Sequence, residues 1–101
     1  MIVPTGLALR APAGSVILIC SRSGLAARSV FVTNAPGVVD PDYIGEIKIL
    51  LTNSGMEPYY VQHGDRVAQA LLVHTTEATL RESSDLQLTE RGDKGFGSSG
   101  V

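Results

Sequence analysis

The chain has 101 residues, 44% hydrophobic and 18% charged, so it is long enough for one globular domain and too apolar for a disordered segment. Its formal net charge of -2 argues against a nucleic-acid binder, because such proteins gain much of their affinity from Lys and Arg contacts to phosphates. The amino terminus lacks a signal-peptide pattern, and no apolar run approaches the ~20 residues that cross a bilayer. We therefore expect an intracellular, cytoplasmic protein without membrane or nucleic-acid partners.

Short β-branched segments predict an all-β fold, because they alternate at close intervals with Gly, Pro, Asn and Asp. Residues 15–20 are apolar on both faces and should form a central strand, whereas residues 46–53 alternate apolar with polar side chains and should bury one face. The only helical candidate is 23–29, where a serine could cap one or two turns. The strand candidates are IVPTGLAL, SVILIC, SVFVT, EIKILLTN, YYVQ and RVAQALLVH, at 2–9, 15–20, 29–33, 46–53, 59–62 and 66–74.

The chain contains few residues suited to redox or metal chemistry. Cys20 is the only cysteine, so no internal disulfide can form, and its apolar run VILIC indicates a buried structural thiol in a reducing compartment. His63 and His74 are far apart in sequence and have no cysteine partner. The sequence therefore predicts no metal site built from protein ligands alone.

The carboxyl-terminal part turns polar from about Thr75 and ends in RGDKGFGSSGV, residues 91–101. Its glycines add backbone freedom that folding would have to remove, so this tail either disorders or folds onto a partner. It is not a Walker loop, because Lys and Ser or Thr do not follow its second glycine. The triplet at 91–93 matches a cell-adhesion motif, but three common residues often occur together by chance.

Three internal segments allow both a structural and a functional interpretation. NAPGVVDPDYIGEI, residues 34–47, has the turn chemistry of a β-hairpin at Asp40-Pro41-Asp42. SRSGLA, residues 21–26, could cap a helix or direct amides and a hydroxyl at an anion. GDRVAQ, residues 64–69, is typical of a turn that leads into a strand.

Taken in order, the PTGLAL strand, SRSGLA, GVVDPDYIGEI, GDRVAQ and RGDKGFGSSG resemble the motifs of the trimeric dUTP diphosphatase (dUTPase) family, over nearly the whole chain. The resemblance implies a jelly-roll-like β-barrel with one short helix and a flexible C-terminal arm. It implies one domain with a barrel core at 1–74, an arm at 75–90 and a glycine-rich lid at 91–101. It also implies a homotrimer with shared active sites, which hydrolyses dUTP to dUMP and pyrophosphate with Mg²⁺.

The resemblance assigns the nucleoside end of the substrate to the 34–47 segment and to the tail. Asp40 matches the catalytic carboxylate that orients the attacking water and contacts the sugar, and its structural alternative is a turn cap. Tyr43 matches a ring that packs under the deoxyribose, and the backbone at 34–39 matches the hairpin that binds uracil. The implied base- and sugar-binding residues are Asn34, Gly37, Val39, Asp40, Tyr43 and Phe96.

The phosphate end is assigned to residues that offer an arginine fork, amides and hydroxyls. These residues are Arg22, Ser23, Gly24, Gln69, Arg91, Gly95, Gly97, Ser98 and Ser99. Mg²⁺ would be held by the substrate phosphates and water, with no direct protein ligand. The tail would then close over bound nucleotide as a lid contributed by a neighbouring subunit.

The sequence departs from the family pattern at several positions. The first family motif, Ala-Gly-x-Asp-Leu, is not present ahead of PTGLAL, so a non-catalytic dUTP-binding or regulatory module, or an inactive fragment of the same fold, remains an alternative. A dCTP deaminase relative is disfavoured by the tyrosine in the 34–47 segment and by the full terminal motif. Ser21 replaces a usual proline, Lys94 a common glycine and Ser99 a threonine.

Overall fold

The computed structural model describes residues 1–100, so Val101, the last residue of the predicted lid, lies outside the described part. Six antiparallel strands form two three-stranded sheets, with the orders β1-β5-β3 and β4-β2-β6. One short helix, α1, follows β2. The elements are β1 (Ile2–Pro4), β2 (Ser15–Cys20), α1 (Ser23–Ala26), β3 (Val30–Val32), β4 (Gly37–Val39), β5 (Lys48–Asn53) and β6 (Gln69–His74).

The two sheets pack on a single apolar core. Ile17 and Ile19 of β2 and Val32 of β3 belong to the same buried cluster as Ile49 and Leu51 of β5. The alternation of apolar and polar residues in β5 explains this placement, because successive side chains of a strand point to opposite faces. Two facing antiparallel sheets are the arrangement of a jelly roll, and the all-β fold class is confirmed.

Several strand predictions are confirmed in part. β2 covers the whole predicted segment and is the central strand of its sheet, and β5 buries one face as expected. The first candidate strand is regular only at Ile2–Pro4, and the helix ends at Ala26 after about one turn. The thiol of Cys20 is half-buried, since alternate residues of β2 lie on its less covered face.

Two sequence interpretations are wrong. Residues 59–62 form no strand, and the chain turns directly after them, at residues 62–65: the Asp65 carboxylate accepts the backbone N–H of Gln62 at 2.8 Å, and the N–H of Asp65 donates to the Gln62 carbonyl. The segment 34–47 is not a simple β-hairpin either. Its turn exists, since Tyr43 N–H donates to the Asp40 carbonyl at 3.1 Å, but β4 pairs with β2 whereas β5 pairs with β1 and β3. The turn therefore connects the two sheets.

The last strand and the segment after it are highly exposed. All six residues of β6 are exposed, including Leu71 at 50% and Leu72 at 61%, although β6 pairs with β2 along its full length. Residues 75–100 are also exposed throughout. The radius of gyration is 18.6 Å, compared with about 13 Å for a compact domain of 100 residues. The chain thus presents an uncovered apolar strand and an extended arm.

Helix α1, the one helix in the described part of the chain, is too short to span a membrane, and no other described segment is a spanning helix.

Candidate active site

The predicted nucleoside-binding residues of the folded body line one cleft. This cleft has a volume of about 260 Å³ and lies where β4 and its turn pass the start of β5. Glu46 and Lys48 also contribute to its wall. The predicted residues found there are Asn34, Gly37, Val39, Asp40 and Tyr43. The fold therefore brings together five residues that the sequence spreads over ten positions.

Two glycines shape this nucleoside cleft. A Cβ atom on Gly37 would lie 3.3 Å from Asn34 Nδ2, which is a tight contact, and 3.5 Å from Ile19 Cβ, so a side chain there would crowd Asn34. A Cβ atom on Gly45 would lie 2.7 Å from Tyr43 Oη and 2.9 Å from Tyr43 Cζ, which is closer than real contacts allow. Gly45 thus makes room for the tyrosine ring.

The ring of Tyr43 is fixed by a hydrogen bond as well. Its hydroxyl donates to the Glu46 carbonyl at 2.7 Å, and the Glu46 carboxylate accepts the backbone N–H of Gly6 at 2.9 Å. The tyrosine is nevertheless exposed on its other side, at 46%. It can therefore present a preformed apolar surface to a ligand.

Asp40 is an exposed carboxylate on the wall of the same cleft. Within residues 1–100 its side chain accepts no hydrogen bond and forms no ion pair, while its backbone carbonyl accepts the N–H of Tyr43. The turn therefore holds the backbone and leaves both carboxylate oxygens available. A carboxylate with two free oxygens can accept hydrogen bonds, or a proton, from a bound water.

A second cleft, of about 390 Å³, contains the predicted phosphate-binding residues of the body. We call it the phosphate cleft. It lies between α1 and the start of β6, and Leu25 and Arg28 complete its wall. The predicted residues that line it are Arg22, Ser23, Gly24 and Gln69.

Ser21 and Gln69 connect this phosphate cleft to the sheets. The Ser21 hydroxyl accepts the backbone N–H of Val32 at 2.9 Å, and the Gln69 side-chain amide donates to the Ser21 carbonyl at 2.7 Å. Serine in place of the usual proline thus satisfies a strand N–H that would otherwise lack a partner. The contact also orients Gln69, whose second amide hydrogen remains available.

The predicted binding residues of the tail lie in neither cleft. Phe96 is fully exposed, and Arg91 bonds to its own segment: its Nε donates to the Lys94 carbonyl at 2.6 Å. From Thr75 onward, the one hydrogen bond to the body within residues 1–100 joins Thr75 N–H to the Gly14 carbonyl at 2.8 Å. Four further predicted binding residues of the tail are also exposed and lie in neither cleft: Gly95, Gly97, Ser98 and Ser99.

The two clefts share no lining residue. The nucleoside cleft is lined by β4, its turn and β5, and the phosphate cleft by α1, its flanks and Gln69 at the start of β6. Within one chain the two clefts are therefore distinct. A larger cleft of about 830 Å³ adjoins both, because Ile19, Ile47 and Ile49 of the nucleoside cleft and Arg22 and Gln69 of the phosphate cleft also line it.

The structure adds residues that motif matching did not single out. Gly45 and Glu46 position Tyr43, and Arg28 enters the phosphate cleft. For Gly45 the sequence held a signal, since a glycine two residues after a tyrosine leaves space for the ring. The sequence contained no signal for Arg28, because Tyr59, the aromatic residue that contacts it, is distant in sequence.

No group of three or more His, Cys, Asp or Glu side chains in residues 1–100 is arranged to hold a metal ion. Two acidic side chains line the nucleoside cleft, and within residues 1–100 the Glu46 carboxylate accepts a hydrogen bond whereas the Asp40 carboxylate accepts none. A hard cation at this site would thus take most of its oxygen ligands from a bound phosphate and from water.

Comparison with known proteins gives a consistent result. The dUTPase family model matches residues 1–100. The deoxyuridine 5'-triphosphate nucleotidohydrolase of Zymomonas mobilis is 47% identical over 100 residues, which cover 98% of this chain and 68% of the relative. The protein of the same name from Treponema pallidum is 45% identical over 102 residues, which cover 100% of this chain and 70% of that relative. The chain thus spans about two thirds of the length of these curated relatives.

Solved structures support the fold. The dUTPase of Staphylococcus bacteriophage 80alpha, solved with dUpNHpp, has a TM-score of 0.76 at 23% identity, with 100% of this chain and 80% of that chain covered. The EIAV dUTPase has a TM-score of 0.68 at 18% identity, with 87% of this chain and 78% of that chain covered. With the match of the family model over residues 1–100 and the identity to its curated relatives, the chain belongs to the dUTPase family.

Proposed function

We propose that this chain is a dUTP diphosphatase, which hydrolyses dUTP to dUMP and pyrophosphate and so supplies dUMP and keeps uracil out of DNA. The observation that carries the proposal is the sorting of the candidate residues into two clefts, one suited to a nucleoside and one to phosphates. The names of relatives at 45% and 47% identity support it. An intracellular location, in the cytoplasm, fits the nucleotide substrate and the free thiol of Cys20.

In the proposed mechanism, the nucleoside cleft selects the substrate and supplies the base. The backbone around Gly37 binds uracil, and the ring of Tyr43 occupies the volume that a ribose 2′-hydroxyl would need. The Asp40 carboxylate then accepts a proton from the water that attacks the α-phosphorus. Pyrophosphate leaves from the opposite side, and its developing charge is met by donors of the phosphate cleft.

The phosphate cleft offers several kinds of donor to this charge. Arg22 supplies a planar fork of N–H groups, Ser23 a hydroxyl and an amide, and Gln69 its side-chain amide. Mg²⁺, when bound to the phosphates, neutralises part of their charge. Because the described chain provides no ligand cluster of its own, we expect the metal to enter with the nucleotide.

We propose further that the protein is a homotrimer with shared active sites. Three observations support this: the nucleoside and phosphate clefts share no lining residue on one chain, β6 leaves Leu71 and Leu72 uncovered, and the segment from Thr75 onward makes one hydrogen bond to its own body within residues 1–100. A neighbouring chain would cover β6 and place its own nucleoside cleft against this phosphate cleft.

The tail completes the proposed site as a lid. Phe96 is fully exposed in the free arm and would stack on the uracil, and Arg91 would exchange the Lys94 carbonyl for a phosphate oxygen. Gly95, Gly97, Ser98 and Ser99 would then offer amides and hydroxyls to the phosphates. Residues 91–101 act as this lid in the proposal, with 75–90 as the arm that carries it.

The direct test is pyrophosphate release from dUTP by the purified chain with Mg²⁺. We expect release from dUTP, much slower release from UTP and dTTP, and loss of activity when EDTA removes the metal. Binding of dUpNHpp without any release from dUTP would contradict the enzymatic proposal and favour the non-catalytic binding module.

The contact between Gly45 and Tyr43 leads to a prediction on sugar selectivity. A Gly45→Ala change forces the tyrosine ring away, because its Oη and Cζ lie 2.7 and 2.9 Å from the new Cβ. We expect the ratio of kcat/KM for dUTP to that for UTP to fall about tenfold, which corresponds to about 1.4 kcal/mol of lost discrimination.

Gly55→Ala is the matched control, since a Cβ there would lie 3.1 Å from Ser29 Cβ but Gly55 lines neither cleft. This control should keep the selectivity of the parent chain even if its melting temperature falls. If Gly45→Ala also kept the parent selectivity, Tyr43 would not be the group that rejects the 2′-hydroxyl.

A further inference from the structure

Arg28 is a second arginine in the phosphate cleft, and none of the site assignments above gives it a role. It lies two residues after the end of α1, where its backbone N–H donates to the Leu25 carbonyl at 2.9 Å. Its side chain lines the same cleft as Arg22, Ser23 and Gln69.

Tyr59 holds the guanidinium of Arg28. The central carbon of this group lies 5.2 Å from the centroid of the tyrosine ring, which is within cation–π distance. A cation–π contact of this kind does not use the N–H groups of the guanidinium as hydrogen-bond donors. Within residues 1–100 the Arg28 side chain makes no hydrogen bond or ion pair, so these donors have no other partner there.

The charge of the cleft is unbalanced. Arg22 and Arg28 both line it, and none of its lining residues is acidic. Two uncompensated cations in one cavity favour an anion with several negative charges, because the attraction grows with the charge of the ligand. The contact with Tyr59 also restricts a long side chain before the ligand arrives, which reduces the entropy lost on binding.

We infer that Arg28 is a further phosphate-binding residue, positioned by Tyr59, and that it makes the cleft prefer a polyphosphate over a monophosphate. The inference rests on the proposed function for the identity of the nucleotide. It rests on the composition and geometry of the cleft for the binding of phosphate itself.

The test compares Arg28→Gln with the parent chain by calorimetric titration of dUpNHpp, dUMP and inorganic tripolyphosphate at fixed ionic strength. We expect the Kd for dUpNHpp and for tripolyphosphate to rise about tenfold or more in Arg28→Gln, as for a lost charge-assisted hydrogen bond. The Kd for dUMP should rise distinctly less. Arg10→Gln is the matched control, because it removes an equal charge from an exposed arginine that lines none of the clefts.

Two changes at Tyr59 separate a positioning role from general electrostatics. Tyr59→Phe keeps the ring face and should bind as the parent does. Tyr59→Leu keeps Arg28 and its charge but removes the ring, and its Kd for dUpNHpp should rise about two- to fivefold. A merely structural role of the contact would lower the melting temperature without changing the preference for polyphosphate.

The inference is overturned if Arg28→Gln binds like the parent chain, if Arg10→Gln loses as much affinity, or if the parent binds neither dUpNHpp nor tripolyphosphate. It stands if tripolyphosphate binding depends on Arg28 even in a chain that releases no pyrophosphate from dUTP. In that case the proposed function alone has failed. Conversely, a parent chain that hydrolyses dUTP with no effect of Arg28→Gln would keep the function and exclude the inference.

Discussion

Replacing Asp40 by asparagine is expected to lower turnover of dUTP a hundredfold or more while the affinity for dUpNHpp stays close to that of the parent. Asparagine keeps the size of the side chain but cannot take a proton from water, and each tenfold loss of rate corresponds to about 1.4 kcal/mol of barrier. The fold should not change, since the contact of Asp40 with Tyr43 uses its backbone carbonyl.

Single-turnover rates and calorimetric Kd values check this prediction, and Asp42→Asn is its control. Asp42 is exposed in the same turn but does not line the nucleoside cleft. Equal turnover losses in the two variants would indicate a general effect of the charge of the turn. Parent-like turnover in Asp40→Asn would remove Asp40 from the mechanism.

The regular parts of the fold could be predicted where local pattern and tertiary packing agree. β2 and β5 follow from an apolar run and from an alternation of apolar with polar residues, and both patterns are properties of a few adjacent positions. The segment 34–47 shows the limit. Its turn was predictable from Asp-Pro-Asp, but the assignment of its flanking strands to different sheets depends on β2, which is distant in sequence.

The site could be predicted as a set of residues, although its arrangement could not. The motifs identify Arg22, Asp40 and Tyr43, because their order along the chain matches a family pattern. That the nucleoside and phosphate residues line separate clefts follows from strand pairing, which the motifs do not encode. The contact of Arg28 with Tyr59 joins two loops and has no local signature.

Deletion of residues 91–101 should abolish hydrolysis and change the melting temperature by less than about 4 °C, the shift that about 0.5–1 kcal/mol produces in a domain of this size. Within the described part, residues 91–100 bury no side chain and bond to no residue of the body. Their loss thus removes little from the free protein, whereas the closed site loses Arg91 and Phe96. Differential scanning calorimetry and pyrophosphate release measure the two effects, and a deletion that unfolds the body would refute the lid.

The deletion also tests whether the tail acts on a neighbouring chain. Neither the deletion variant nor Asp40→Asn should be active alone, but in a mixed trimer the first supplies Asp40 and the second supplies the tail. If the tail serves another subunit, co-refolding equal amounts should restore activity at about a quarter of the sites, by random assembly. A mixture of the deletion variant with a chain that carries both changes is the control and should stay inactive. If the first mixture also stays inactive while mixed trimers form, each tail closes over the Asp40 of its own chain, and the proposed sharing of the lid is wrong.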